Sequence, residues 1–290
     1  YYFRRMQVQN RQGLPQVSTV SAVWSPPRNS LEVHAVRIIR GDQVIDVLQD
    51  QTFQTLRREN NLESSMLDGR LTATLQPRDL RVGDILETAF TVHDNGGVLA
   101  PHREALSSLR SGLPVEYYRL RASWPADQVL QVAATAPWVD VRPRRVGADW
   151  LFEIEARDLA PERQPTDMPG RYYLTRIAQF SDMADWSTAS ILMAPLYERA
   201  ATLEADSPLA AEIERIRSTH ETGAARAAAA LRLVQDGVRY LSLSMGEGGY
   251  VPMSADDVWR YRYGDCKGKT ALLLAVLHGP GWLRAPFATR

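Results

Sequence analysis

With one cysteine in 290 residues, the chain cannot build a disulfide framework of its own, because a bridge needs two. That single thiol does not decide the redox compartment. Net charge is missing as well, since 34 Lys and Arg balance 34 Asp and Glu. No bulk field remains to gather nucleic acid, and the cluster Arg142-Pro143-Arg144-Arg145 is too short to create one. No run of eighteen apolar residues occurs, so a membrane-spanning helix is not expected in this chain. A secretory leader is also missing, although the chain opens on Tyr1-Tyr2-Phe3-Arg4-Arg5 rather than Met, which leaves targeting open. No acidic loop has calcium-ligand spacing, and no cofactor or metal is called for. Gly246-Glu247-Gly248-Gly249 lacks the Gly-Lys-Ser/Thr ending of a P-loop, and Gly268-Lys269-Thr270 has no earlier glycine at the right spacing, so a nucleotide site is not expected.

What is present is enough for two ordinary domains, with 44% apolar and 23% charged residues, a balance able to bury a core. The first part, to about residue 180, alternates like a sheet protein. In Ile85–Val92, Leu86, Thr88, Phe90 and Val92 share one face, with Glu87 and Thr91 as polar positions on the other. Further β-prone runs are Gln16–Trp24, Leu31–Ile39, Leu71–Leu75, Val115–Ser123 and Trp150–Ala156. Val139–Arg142 and Trp150–Ile154 flank Arg145–Asp149, a hairpin turn in which Gly147 is free to take positive φ. Ser25-Pro26-Pro27 and Pro161–Pro169 read as loops. Many short strands separated by turn residues predict a β-sandwich.

From about residue 183 the period changes to that of helices. Trp186–Arg199 forms one around Ile191, Leu192, Leu196 and Tyr197, with Pro195 as a kink or break. Ser207-Pro208 caps and opens Leu209–His220, Thr222-Gly223 interrupts, and Ala224–Gln235 resumes. The expectation is therefore an α+β chain, strands in 1–180 and helices in 181–290.

The lone cysteine stands at the mouth of the last helix. Ala271–Leu277 is built of strong helix formers, and Gly264 and Asp265 supply a turn residue and an N-cap just before Cys266. A lone cysteine is more often a small buried hydrophobe, but turn-forming, charged flanks are foreign to a core. At a helix start the unpaired N–H groups and the dipole favour thiolate, and Lys267 and Lys269 add positive charge. The same N–H groups can hold an oxyanion. Among the aromatic residues nearby, Tyr240 and Tyr250 are the candidates to line an acyl site, against ordinary packing for Trp259, Tyr261 and Tyr263. Asp265 orients the loop or caps the helix.

Tyr263-Gly264-Asp265-Cys266-Lys267-Gly268-Lys269 resembles the Gly-Asp-Cys-Lys-x-Lys signature of bacterial transglutaminase-like proteins, which share a superfamily with papain-like cysteine peptidases. Val234–Tyr240, the turn Gly248-Gly249-Tyr250-Val251-Pro252 and Ala255-Asp256-Asp257-Val258 are similar to the text that precedes that signature. Leu80-Arg81-Val82-Gly83-Asp84-Ile85-Leu86-Glu87 resembles a strand of the β-rich domain of unknown function that precedes the transglutaminase-like core in one bacterial group. The resemblance implies a β-sandwich-like domain over 1–180 and the helical first half of a transglutaminase-like, papain-like domain over 181–290. It also implies Cys266 as nucleophile, with Asp265, Tyr240 and Tyr250 as site residues, a protein, peptide or glycan substrate, and a periplasmic or exported location.

The chain departs from the family in two places. Gly268 stands where the family has Asp, and no His followed by Asp or Asn comes after Cys266 to complete a triad. The stretch His278–Arg290 reads like a changed frame or a truncation. His278 lies twelve positions beyond Cys266, about 18 Å along a continuous helix, too far for a general base. His34, His93, His102 and His220 are expected to be surface or locally satisfied residues. With the strands of a papain-like sheet missing, Leu272, Leu273, Val276 and Leu277 should be partly exposed and the C-terminus poorly ordered. Two functional readings follow. One is a cysteine acyl-transfer or amide-hydrolysing protein left inactive without its His and Asp. The other is a non-catalytic peptide- or glycan-binding scaffold with a vestigial transglutaminase-like part, which a thiol alkylating with an ordinary pKa of about 8.5 would favour.

Overall fold

The computed structural model describes residues 1–279 except 27, 58–61, 110, 163, 164, 166, 170, 171, 173 and 174. The expected frame-changed segment 280–290, Pro27 and parts of the proline-rich loop 161–169 lie outside the described residues. The chain is α+β, with sheets through its first part and helices from Trp186 onward. Two compact units emerge, one of Tyr1–Val98 with the chain from Met193 onward, the other of Leu99–Leu192. The strand-to-helix change near residue 180 thus marks composition, whereas compactness divides the chain elsewhere.

In the first unit the β-rich part runs β1 (Tyr2–Gln7), the short helix α1 (Leu14–Val17), β2 (Val20–Trp24), β3 (Asn29–Arg40), β4 (Gln43–Asp46), β5 (Gln54–Arg57), β6 (Met66–Leu67), β7 (Leu71–Leu75) and β8 (Ile85–Asp94). Antiparallel sheets order these strands β1-β8-β3-β4 and β2-β7-β5. Val36 and Ile38 of β3, Leu86 of β8, Val20 of β2 and Leu75 of β7 share one buried cluster. The expected strand Gln16–Trp24 is split: Pro15 opens α1, and the strand starts only at Val20.

Glu87 does not take the solvent-facing place that alternation predicts, being only 4% exposed. In register it lies between Arg5 of β1 and Arg37 of β3, which donate to its carboxylate at 2.8 and 3.0 Å. A carboxylate ringed by two guanidinium groups tolerates burial that an unpaired one would not. Asp84, three positions earlier, is held the same way: Arg40 donates to it from Nε at 2.9 Å and Nη2 at 2.8 Å, and the Arg81 amide from 2.8 Å. Gly83 turns the chain into that position at φ +95°, open to glycine at little cost. The Gly83-Asp84 motif is therefore a device that ends a turn and starts the central strand.

The second unit holds β9 (Glu104–Ser108), β10 (Val115–Pro125), β11 (Gln131–Ala134), β12 (Arg144–Val146), β13 (Asp149–Leu159) and β14 (Ile177–Ser181), in sheets ordered β10-β13-β12 and β11-β14-β9. Its own core includes Trp124, Trp138, Phe152 and Phe180, with the Phe152 and Phe180 rings edge-to-face at 5.3 Å. The hairpin sits where the sequence places it, and Gly147 has φ +63°. Its first strand begins at Arg144 rather than Val139, because Val139 and Asp140 lie inside a turn closed by the Val141 amide on the Trp138 carbonyl at 3.0 Å.

The helical part comprises α2 (Trp186–Ala201), α3 (Leu209–Thr219), α4 (Gly223–Gly237), α5 (Ala255–Tyr261) and α6 (Cys266–His278), with short strands β15 (Arg239–Tyr240), β16 (Ser242–Leu243) and β17 (Tyr263–Gly264). Pro195 lies inside α2. Thr222 caps α4, its Oγ1 accepting from the Ala225 amide at 3.2 Å. Buried Asp256 accepts from the Glu204 amide at 2.8 Å and from the Ser207 hydroxyl, fixing the link between α2 and α3 to α5. The expected exposure of Leu272 and Val276 is corrected here, since both are wholly buried. Leu209, Ile213 and Ile216 of α3, Ala230 and Val234 of α4, and Val258 and Trp259 of α5 cover that face of α6, so helices supply what a sheet was expected to supply. Each such side chain removed from water contributes about 1.5–3 kcal/mol. Leu273 and Leu277 are partly buried against the same cluster.

Candidate active site

At the start of α6 the Asp265 side chain accepts from the Gly268 amide at 2.9 Å, as an N-cap does, and Lys267 pairs with the same carboxylate. The cap is 5% exposed, while Cys266, the next residue, is exposed. Burying the cap and exposing the thiol is what the first turn of a helix does when its neighbour packs closely on one side. That neighbour is α5. A Cβ on Gly268 would stand 2.9 Å from Cγ2 of buried Val258, and one on Gly264 3.2 Å from the same valine. Gly268 is thus a packing contact, and an Asp at this position would need Val258 to move. Of the two lysines expected to add charge near the thiol, Lys267 is matched by Asp265 and Lys269 donates from Nζ to the Val238 carbonyl at 2.7 Å.

Tyr240 enters this site through the backbone. β15 pairs in parallel with β17, setting Tyr240 opposite Gly264, and the Leu241 amide donates to the Gly264 carbonyl at 3.2 Å. The ring of Tyr240 is half-exposed. Tyr250 is placed against a different neighbour, with the Arg28 guanidinium 5.4 Å from its ring centre. Hydrogen bonding to Tyr250 is the main cause that raises the Arg28 guanidinium above its ordinary range. Trp259 belongs to the core, and Tyr261 and Tyr263 stack on each other at 5.7 Å.

Two further features have no signature in the sequence. Tyr197 of α2 is pushed above the ordinary phenol range first by burial and then by the charge of Cys266, an influence that shows it near the α6 start. Nothing local marks Tyr197, because its neighbour is made by a helix far along the chain. The other is the pinning of the loop before α5. β16 pairs in parallel with β6, the Ser242 and Ser244 amides donate to the Ser65 and Leu67 carbonyls at 2.7 and 2.8 Å, and the Val98 amide donates to Glu247 at 3.1 Å.

The histidines are occupied elsewhere. His34 Nε2 meets Thr91 Oγ1 at 2.6 Å, His93 meets Glu32 at 3.1 Å, and His220 meets Thr219 Oγ1 at 2.9 Å. His102 pairs with Asp182 at 3.1 Å within the second unit. His278 ends the helix that Cys266 begins. Among the described residues no group of three or more His, Cys, Asp or Glu side chains is arranged to hold a metal, and no helix is long and apolar enough to cross a membrane.

Sheets at the start, helices at the end, and a cysteine exposed on the first turn of a buried helix define an α+β protein with a candidate thiol site. Residues 1–163 match the family described as a domain of unknown function with solved structure, DUF3857, and the chain belongs to it. Among solved structures it is similar to a putative protease from Parabacteroides distasonis ATCC 8503, at 13% identity and a TM-score of 0.73, a likeness of fold. The match covers 96% of this chain and 55% of that one, so this chain spans about half of that protein's length. No curated protein matches the sequence.

Proposed function

We propose that this chain carries the nucleophile of a transglutaminase-like cysteine acyl-transfer or amide-hydrolysing centre, with Cys266 as the attacking group. The observation that carries the reading is an exposed thiol on the first turn of α6 beside a buried, capping Asp265. The fold likeness to a putative protease supports it. Cys266 Sγ would attack the carbonyl carbon of an amide or ester in a protein, peptide or glycan-linked substrate. The carbonyl π pair moves onto oxygen and returns as the bond to the leaving amine or alcohol breaks, leaving a thioester that water or a second amine resolves. Backbone N–H groups at the helix start are suited to the oxyanion, and Tyr240, set beside Gly264, to the rim of the site. Asp265 acts as a positioning residue. A leaving amine needs a proton, and within its own unit each histidine is engaged elsewhere or ends α6, so the 290 residues should acylate readily only from activated esters.

The test is incubation with a p-nitrophenyl acyl ester followed by intact-mass analysis. One acyl group, released by hydroxylamine and lost in Cys266→Ala, is expected, with residual turnover of glutamine-amide peptides. Fast, Cys266-dependent turnover of those amides would show the chain to be a complete enzyme. No adduct would favour the second reading, a peptide- or glycan-binding scaffold, which the engagement of the histidines supports.

A further inference from the structure

Tyr250 and the pinned loop lead to a cavity of about 300 Å³ in the first unit. Arg28, Asn29 and Asp94 line it from the end where β3 meets β8, and Ser244, Gly249 and Tyr250 from the loop. Its floor is firm. Asn29 and Asp94 are register partners, the Asn29 amide donates to the Ser25 carbonyl at 2.9 Å, and the Asn95 amide donates to the Arg28 carbonyl at 2.8 Å.

The charges inside it differ from the Arg40–Asp84 pair at the other end of β3 and β8. Arg40 and Asp84 meet at 2.8 Å with the carboxylate buried, whereas Arg28 Nη2 and Asp94 Oδ2 are 3.5 Å apart, with side chains 31% and 49% exposed. That is longer than a charge-assisted hydrogen bond. Although Asp94 Oδ1 also accepts from the Gly96 amide at 3.0 Å and Arg28 is hydrogen-bonded to Tyr250, five guanidinium N–H donors and two carboxylate oxygens leave each part-exposed group further capacity for a ligand of opposite sign. A phosphate would be repelled by Asp94, and a neutral sugar would have to displace water from two charges without neutralising either. A group that presents an anion and a cation together satisfies both. The volume is at the lower end for a small ligand, and the Tyr250 ring gives it one apolar wall.

We propose that this cavity binds a zwitterionic α-amino-acid group, its carboxylate on Arg28 and its ammonium on Asp94, with Tyr250 as the wall. The site is independent of the thiol chemistry and assigns to the loop before α5 the recognition of a free amino-acid centre. Gly249 offers a means to block it, since it lines the cavity and a Cβ there meets nothing within 4 Å.

The experiment is a titration of the isotope-labelled Cys266→Ala chain with alanine, N-acetylalanine and alaninamide, followed by amide NMR shifts. Alanine should move the resonances of Arg28, Asp94 and Gly249. Removing either charge from the ligand, or Arg28→Gln or Asp94→Asn in the protein, should weaken binding about tenfold or more. Gly249→Leu, with an unchanged spectrum elsewhere, should abolish it. Equal binding of alanine and N-acetylalanine, binding that survives Gly249→Leu, or no shift with alanine at tens of millimolar would each overturn the proposal. Because the thiol is absent from the titrated chain, these outcomes are separate from acylation of Cys266.

Discussion

Two Gly-Asp pairs in this chain do different work. At Gly83-Asp84 the glycine turns the chain at positive φ and the aspartate takes its cation, Arg40, from a neighbouring strand. At Gly264-Asp265 the glycine lies against Val258 and the aspartate takes its cation, Lys267, from the helix it caps. Both carboxylates are buried, at 2% and 5% exposure, yet the first joins two strands of a sheet while the second stabilises one turn and leaves the next residue exposed. One dipeptide thus serves a tertiary contact in one place and a local one in the other, and the cost of breaking each should differ accordingly.

The sharpest break is removal of each carboxylate. Asp84→Ala takes the acceptor from the Arg81 amide and the buried carboxylate from Arg40, which keeps Asp79, and should cost about 2–3 kcal/mol. Asp265→Ala should cost about 1–2 kcal/mol for a lost cap, and Asp265→Asn about 1 kcal/mol, since Asn caps as well as Asp but leaves Lys267 without its counter-charge. Urea unfolding of the three variants checks the ranking, and equal losses for Asp84→Ala and Asp265→Ala would remove the distinction.

The next effect is on pH. Hydrogen bonding from Arg40 is the main cause that lowers the Asp84 carboxyl from its ordinary 3.8. Burial alone would raise Glu87 from 4.5, but hydrogen bonds from Arg5 and Arg37 outweigh it and the net direction is down. A carboxylate lowered on folding contributes stability that is fully present above its unfolded value and is lost as pH falls through the folded one. The β-rich part should therefore hold its stability down to about pH 5 and lose it below pH 4. Glu87→Gln should be about 2 kcal/mol less stable than the parent at pH 7, with the gap closing in acid. A gap that is the same at pH 7 and pH 3 would mean that charge at Glu87 is irrelevant.

The smallest effect separates the glycines. Gly268→Ala crowds Val258 at a cost of about 1–3 kcal/mol, offset by the ~1 kcal/mol by which Ala favours a helix. The net loss of about 1 kcal/mol should shrink in a Val258→Ala background. Gly83→Ala meets no atom within 4 Å, so its cost of about 1 kcal/mol is backbone strain and should be the same in that background. Melting temperatures of the two cycles, which share the parent and Val258→Ala, decide it.

How far the sequence carries is visible element by element. β7, β8, β10 and β13 are legible because long or alternating apolar runs mark them. β1 is not, since Arg4-Arg5 interrupts its aromatics and its pairing with β8 lies more than seventy residues away. α6 and its cap are legible because the signals are adjacent in the chain. The cover over Leu272 and Val276, the burial of Glu87, and the placing of Tyr197 and Arg28 come from partners far along the chain, which no window of neighbouring residues contains.

The sequence by itself determined the α+β order, the turn at Gly147, the cap at Asp265 and the thiol that follows it, because each depends on residues within a few positions and on backbone preferences that act locally. The tertiary structure alone decided which charges are buried, why position 268 is glycine, and that Arg28 and Tyr250 face one cavity. Those outcomes depend on which distant surfaces meet, and close packing and the cost of desolvating a charge are felt only where they do.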